Sequence, residues 1–196
     1  MPDDIRTAQP RLVRIAEELR IQGLMALGIA LCTLVSWLSG WLLGENVRPG
    51  ATGVAGLVGL VLALAALGPF TRRRVRRATF HELAPPGAIW ETPADAGQRR
   101  MSLAFVLILG PMLLLALDRL TLEGGLFAGF LAGAAVGWAA LALGEAGVWT
   151  RRERRRARPL HLLIPPRALM PPTASTDVYE RTLPEPDEVS PFDIPL

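Results

Sequence analysis

Four long apolar runs, free of charge but for one acid in the fourth, decide most of what this chain can fold into. Residues 23–44 form an uncharged run of 22 residues. As a helix at ~1.5 Å per residue, such a run spans ~33 Å, which matches a hydrocarbon layer of ~30 Å. Comparable runs follow at 51–70, 101–117 and 125–149, the third with Pro111 at its middle. In lipid, backbone N–H and C=O groups must be satisfied within the segment, so each run reads as a helix. The expectation is an all-α integral membrane protein with four transmembrane helices.

Charge distribution gives the orientation. All 21 basic residues are arginine. The turns after the first and third runs hold only Arg48 and Arg119, whereas the N-terminal segment, the middle loop and the C-terminal segment hold the other 19. Cytoplasmic loops carry the excess of basic residues, so the pattern predicts a multi-pass protein of the cytoplasmic (inner) membrane with both termini in the cytoplasm. The sequence pI near 10.3 therefore follows from topology. Nucleic-acid binding is not expected, because no stacking aromatics are interleaved with the arginines.

The chain also repeats itself. Thr71, Arg72, Arg73, Arg74, Val75, Arg76, Arg77 and Ala78 match Thr150, Arg151, Arg152, Glu153, Arg154, Arg155, Arg156 and Ala157. His81 and His161, the two histidines of the chain, each open the pattern H-x-L-x-P-P-x-A-[IL]. The match reaches back into the apolar runs, where Leu62, Ala63, Leu64 and Gly68 align with Leu141, Ala142, Leu143 and Gly147. This reads as a duplicated two-helix unit with its cytoplasmic arm. Two spans per unit make the halves parallel repeats about an axis along the membrane normal.

The remaining segments divide the chain. Residues 1–21 read as a cytoplasmic amphipathic helix on the membrane surface, with Leu12, Ile15, Ala16 and Leu19 on one face. Residues 22–70 form the first hairpin, 71–100 a basic loop carrying the first arm, 101–149 the second hairpin and 150–170 the second basic segment and arm. Residues 171–196 are acidic and Pro-rich and are expected to be disordered unless a partner holds them. Small residues mark the packing faces. Ala55, Gly59 and Ala63 recur every four positions in the second run, as do Gly125, Gly129, Gly133 and Gly137 in the fourth. Such stripes let helix backbones approach closely in lipid.

Reactive chemistry is not expected. The runs contain no histidine, Cys32 is the single cysteine, and the loop histidines lack a second ligand at metal spacing, so neither a metal nor a cofactor is predicted. Serines and threonines in the runs have no base beside them and G-x-S-x-G is absent, so no catalytic residue is assigned and the chain is read as a non-enzyme. Glu145 is the one acid within a run, and an ionisable group there is by default a functional candidate. The plainer reading is that it snorkels to the interface and pairs with an arginine of the run that follows it.

Function is then sought in the paired arms. Arg72, Arg73, Arg76, Arg77, His81 and Trp90 of the first copy, and Arg151, Arg152, Arg155, Arg156 and His161 of the second, are the expected contacts to a protein partner or to anionic lipid headgroups. The sequence supports a non-catalytic subunit, scaffold or assembly factor that sits in the bilayer beside a membrane-protein partner or further copies of itself. The alternative is a small oligomeric transporter or channel with Glu145 near its pathway.

Overall fold

The computed structural model describes residues 10–42, 48–91, 96–98, 100–101, 104, 125–165 and 176–180. Of these, 72% are helical. Three helices are long and apolar enough to cross a membrane: α1 (Ile15–Leu42), α2 (Pro49–Arg76) and α3 (Leu126–Arg156). The run at 101–117 lies almost wholly outside the described residues.

Each helix is longer than a bilayer core requires. The 28 residues of α1 and α2 and the 31 of α3 give lengths of ~42–46 Å, against a hydrocarbon thickness of ~30 Å. The surplus lies at the arginine-rich end, where the helices meet a five-stranded sheet. Its strands are β1 (Arg11–Arg14), β2 (Thr79–His81), β3 (Ile89–Trp90), β4 (Leu160–Ile164) and β5 (Asp177–Glu180), in the order β2-β5-β4-β1-β3. Strand β4 runs antiparallel to β1 and β5, while β1–β3 and β2–β5 are parallel pairs.

The sheet corrects three expectations. The fold is not all-α. The N-terminal segment is not a separate surface helix: Arg11–Arg14 is a strand, and α1 begins at Ile15 and continues unbroken into the first run. Leu12, which falls on the same helical face as Ile15, Ala16 and Leu19, instead pairs with Leu163 in the sheet. Within the acidic tail, Asp177–Glu180 is an ordered strand between β2 and β4. Val178 there is fully buried, and its apolar side chain and two flanking strands outweigh the polar composition around it.

In the membrane part α3 is central, packing on both α1 and α2. It runs parallel to α2. The two meet at Gly129 and Thr52, at Gly133 and Gly56, and at Gly137 and Leu60, and each pair is 77 positions apart. A Cβ on Gly133 would fall on the Gly56 carbonyl oxygen, and one on Gly59 would fall on that of Phe130. Thus the backbones themselves touch. Gly137 also faces Ala63, and Gly125, with φ 88°, lies against Trp37 and Thr52. Ala55 is half-buried, and the closest approach on α2 runs instead through Thr52, Gly56 and Gly59. Helix α1 is antiparallel to both, with Gly23 against Leu143 and Trp37 donating to the Thr52 hydroxyl at 3.3 Å.

At the arginine end the hydrophobic effect returns. Ile15, Ala16 and Leu19 of α1, Ala146 and Trp149 of α3, and Leu160, Leu162 and Val178 of the sheet form one buried core, flanked by Val75, Ala78 and Phe80. Trp149 is fully buried.

The backbone contact sets an expected outcome. Gly133→Ala forces α2 and α3 apart and should destabilise the bundle by ~1–3 kcal/mol. Gly28→Ala, where a Cβ meets nothing within 4 Å, should leave stability unchanged or raise it by up to ~1 kcal/mol through helix propensity. Unfolding midpoints in mixed micelles distinguish the two.

Candidate functional site

Two side-chain assemblies stand out, one on each side of the sheet. The first lies where α2 and α3 leave the apolar layer. Glu145 and Arg74 form an ion pair at 3.4 Å, with side chains only 3% and 7% exposed. The indole N–H of Trp149 donates to the same carboxylate at 3.0 Å. Helix α1 adds Gln22, which donates to the buried Glu18 at 3.2 Å. Beside this group lies a cleft of about 290 Å³. Leu19, Leu67, Phe70, Trp138 and Leu141 form its apolar wall, and Gln22, Thr71, Arg74 and Glu145 its polar one.

Glu145 thus pairs with an arginine, but of the other basic run. Its own run begins only at Arg151, six residues or ~9 Å further along α3, whereas Arg74 reaches across from the parallel α2. Sequence reasoning missed Arg74 because nothing local separates it from its exposed neighbours Arg72, Arg73, Arg76 and Arg77. A signal does exist in the repeat. Arg74 aligns with Glu153, the only acid of the second run, and both positions are buried.

Glu153 closes a second connection. Arg14 donates to it through Nε at 3.3 Å and Nη2 at 3.1 Å, and the backbone N–H of Leu160 donates to it at 3.1 Å. The hydrogen bond to Glu153 raises the Arg14 pKa against a smaller opposing effect of burial. One carboxylate therefore ties β1, α3 and β4 together. Arg20 of α1 donates to the Thr150 hydroxyl at 2.9 Å, and Arg100 pairs with Glu17 at 3.0 Å. In β5, Glu180 pairs with Arg156 and, at 3.4 Å, with Arg158.

The second assembly is an aromatic row on the sheet. His81 and His161 both pair in register with Tyr179, one from each side. The His81 and Tyr179 rings stack at 5.2 Å, and Trp90 meets His161 edge-on at 4.7 Å. His81 Nε2 also lies 3.1 Å from Asp177. Side chains alternate across a strand. Because Phe80, Leu160, Leu162 and Val178 face the helices, Tyr179 and the histidines face away from them. Burial, then the Asp177 charge, raises the Tyr179 pKa. The sequence singled out His81, His161 and Trp90. Tyr179, the single tyrosine of the chain, was missed inside the acidic tail.

The two arms therefore enter a sheet and are not free extensions. Strands β2 and β3 are its opposite edges, so residues 82–88 cross from one to the other. Gly87, at φ 79°, takes the left-handed turn after Pro85 and Pro86, and Leu83 in the same strap is 84% exposed. The second arm beyond Pro165 lies outside the described residues. Of the other arginines singled out, Arg151 and Arg155 are exposed, while Arg152 and Arg156 are held by Trp149 and Phe80 rings at 4.8 and 3.6 Å. Among the described residues no three His, Cys, Asp or Glu side chains gather to hold a metal.

No protein-family model, curated protein or solved structure matches the chain.

The buried pair carries an expected outcome. Glu145→Gln leaves the Arg74 guanidinium without its counter-charge and should cost ~3–5 kcal/mol. Replacing both, as Arg74→Met with Glu145→Leu, should recover most of that loss. A double-mutant cycle of melting midpoints, closed with Arg74→Met and Glu145→Leu alone, reads the difference, and a double-variant loss equal to the sum of those two single losses would mean that the pair is not coupled.

Proposed function

We propose that the protein is a non-catalytic subunit, scaffold or assembly factor of a membrane complex, anchored by its helices and recognising a protein partner through the outer face of its sheet. The observation that carries this reading is the aromatic row. Two histidines from duplicated segments and Trp90 converge on Tyr179 on the side of the sheet away from the helices, where His161 is buried and His81, Trp90 and Tyr179 are half-buried. Aromatic side chains offer large contact area with a polar tip at low entropic cost, which suits them to recognition. The buried acids at the junction, by contrast, are matched by arginines or a glutamine of neighbouring positions, as expected of a framework.

In this reading the arginine end is cytoplasmic and the membrane is the inner membrane. Residues 101–117 supply a fourth span, which places both ends of the chain on one side. Parallel packing of α2 and α3 supports the duplication. Their contacts are offset by 77 positions, close to the 79 that separate Thr71 from Thr150, so equivalent helices lie side by side about an axis along the membrane normal.

Photo-crosslinking from position 179 in native membranes should yield one discrete protein adduct, and Trp90→Ala should reduce it. Recovery of the chain as a lone species under all such conditions counts against the proposal.

The cleft beside Glu145 favours a second reading, a small oligomeric transporter or channel, because it places an acid and an arginine at the mouth of an apolar groove. Solute flux through proteoliposomes that falls at least about tenfold with Glu145→Gln would support it, by analogy with the loss expected of pathway carboxylates. Flux that is absent, or indifferent to the substitution, removes it.

A further inference from the structure

The two basic runs build a second cleft, distinct from the aromatic row and on the helix side of the sheet. It has a volume of about 300 Å³ and is lined by Val75, Arg76, Ala78, Phe80, Arg152, Arg155 and Arg156. Four of those seven are arginines, three from helix α3 and one, Arg76, from the end of α2.

Their guanidinium groups are differently placed. Arg152 is fixed twice: its Nη2 donates to the Val75 carbonyl at 2.7 Å, and its guanidinium lies 4.8 Å from the centre of the Trp149 ring. Arg156 lies 3.6 Å over the Phe80 ring and pairs with Glu180. Arg76 and Arg155, among the described residues, make no side-chain hydrogen bond or ion pair. The cleft therefore holds two anchored guanidiniums and two uncommitted ones, against one carboxylate. Planar guanidinium forks suit the oxygens of phosphate, and anchored ones lose little freedom on binding it.

We propose that this cleft binds a phosphate-bearing anion, with the headgroup of an anionic phospholipid as its ligand. Depth argues for the lipid. The uncharged run of α2 ends at Phe70, and Val75 and Arg76 lie a further ~8–9 Å along the helix. The headgroup layer extends ~5–8 Å outside the hydrocarbon, and side chains on these helices lean toward the N-terminal, membrane side, which brings the guanidiniums level with its outer part. A soluble phosphate compound shares the chemistry, and the experiment separates the two.

The full chain in neutral detergent is titrated with dioctanoyl phosphatidic acid, dioctanoyl phosphatidylcholine and inorganic pyrophosphate, and heats of binding are measured. Saturable binding of phosphatidic acid is expected. Arg76→Gln with Arg155→Gln should weaken it about twenty-five-fold, at roughly fivefold per arginine. Arg73→Gln with Arg151→Gln removes the same charge from exposed positions outside the cleft and should change it less than about twofold, as diffuse attraction is screened. Pyrophosphate bound with the same dependence on Arg76 and Arg155 would make a soluble phosphate the ligand and overturn the lipid assignment. Absence of saturable binding by either anion, equal binding of phosphatidylcholine, or equal weakening by the control pair overturns the site. Melting curves report folding separately. Should the glutamine variant lose its transition, Arg76→Lys with Arg155→Lys keeps the charge but not the fork, and weaker binding is still expected.

Discussion

Everything else in this molecule depends on the backbone contact between α2 and α3. In lipid there is no hydrophobic drive for two helices to meet, so association rests on close packing of atoms. Gly56 and Gly59 on one helix and Gly129, Gly133 and Gly137 on the other remove the side chains that would hold them apart, and Gly129 makes room for Thr52. The offset of these contacts then propagates. Arg152 and Val75, which bond at the far end of the same pair, are again 77 positions apart. A register fixed by glycines in the apolar layer thus decides which arginine meets which carbonyl some four turns later.

That register gives meaning to the few acids. Arginines at a membrane boundary satisfy topology by number, wherever they point. An acid among them makes one arginine specific. Glu145 selects Arg74, Glu153 selects Arg14, and Glu180 selects Arg156 and Arg158. Two of these acids stand where the repeat differs: Glu145 aligns with Ala66, and Glu153 with Arg74 itself. The two stretches share their apolar pattern and differ at buried charge, and side-by-side helices with identical charges there would repel.

Legibility in the sequence followed the range of the interactions. The apolar runs and the glycine stripe of α3 are local patterns, and both could be read. The strands could not. They are two to five residues long, and their partners lie up to about 150 positions away, as for Arg11 and Ile164. A segment such as Arg11–Arg14 carries no period long enough to separate strand from helix. Likewise composition called the tail disordered, although four residues of alternating burial suffice to complete a sheet whose neighbours are already in place. At the candidate sites, His81 and His161 were visible because they are rare, and Trp90 because it is a bulky apolar residue ending the first arm. Arg74 was hidden because it is common, and Tyr179 because its surroundings resemble a linker.

The sheet also changes what the arginine runs can do. On a free helix end, a guanidinium samples many directions and contributes only to a diffuse field. Here the sheet comes down on the helix ends, and Phe80 from β2 and Glu180 from β5 both reach Arg156. Strand β5 belongs to the tail and also carries Tyr179 of the outer row. One short strand therefore faces the arginine cleft with Glu180 and the open surface with Tyr179, its side chains alternating between the two. An anion entering the cleft would compete with Glu180 for Arg156, and a contact on the outer face would bear on Tyr179, one residue away. Strand β2 likewise places Phe80 at the cleft and His81 in the row, so two adjacent strands join the cleft to the outer face.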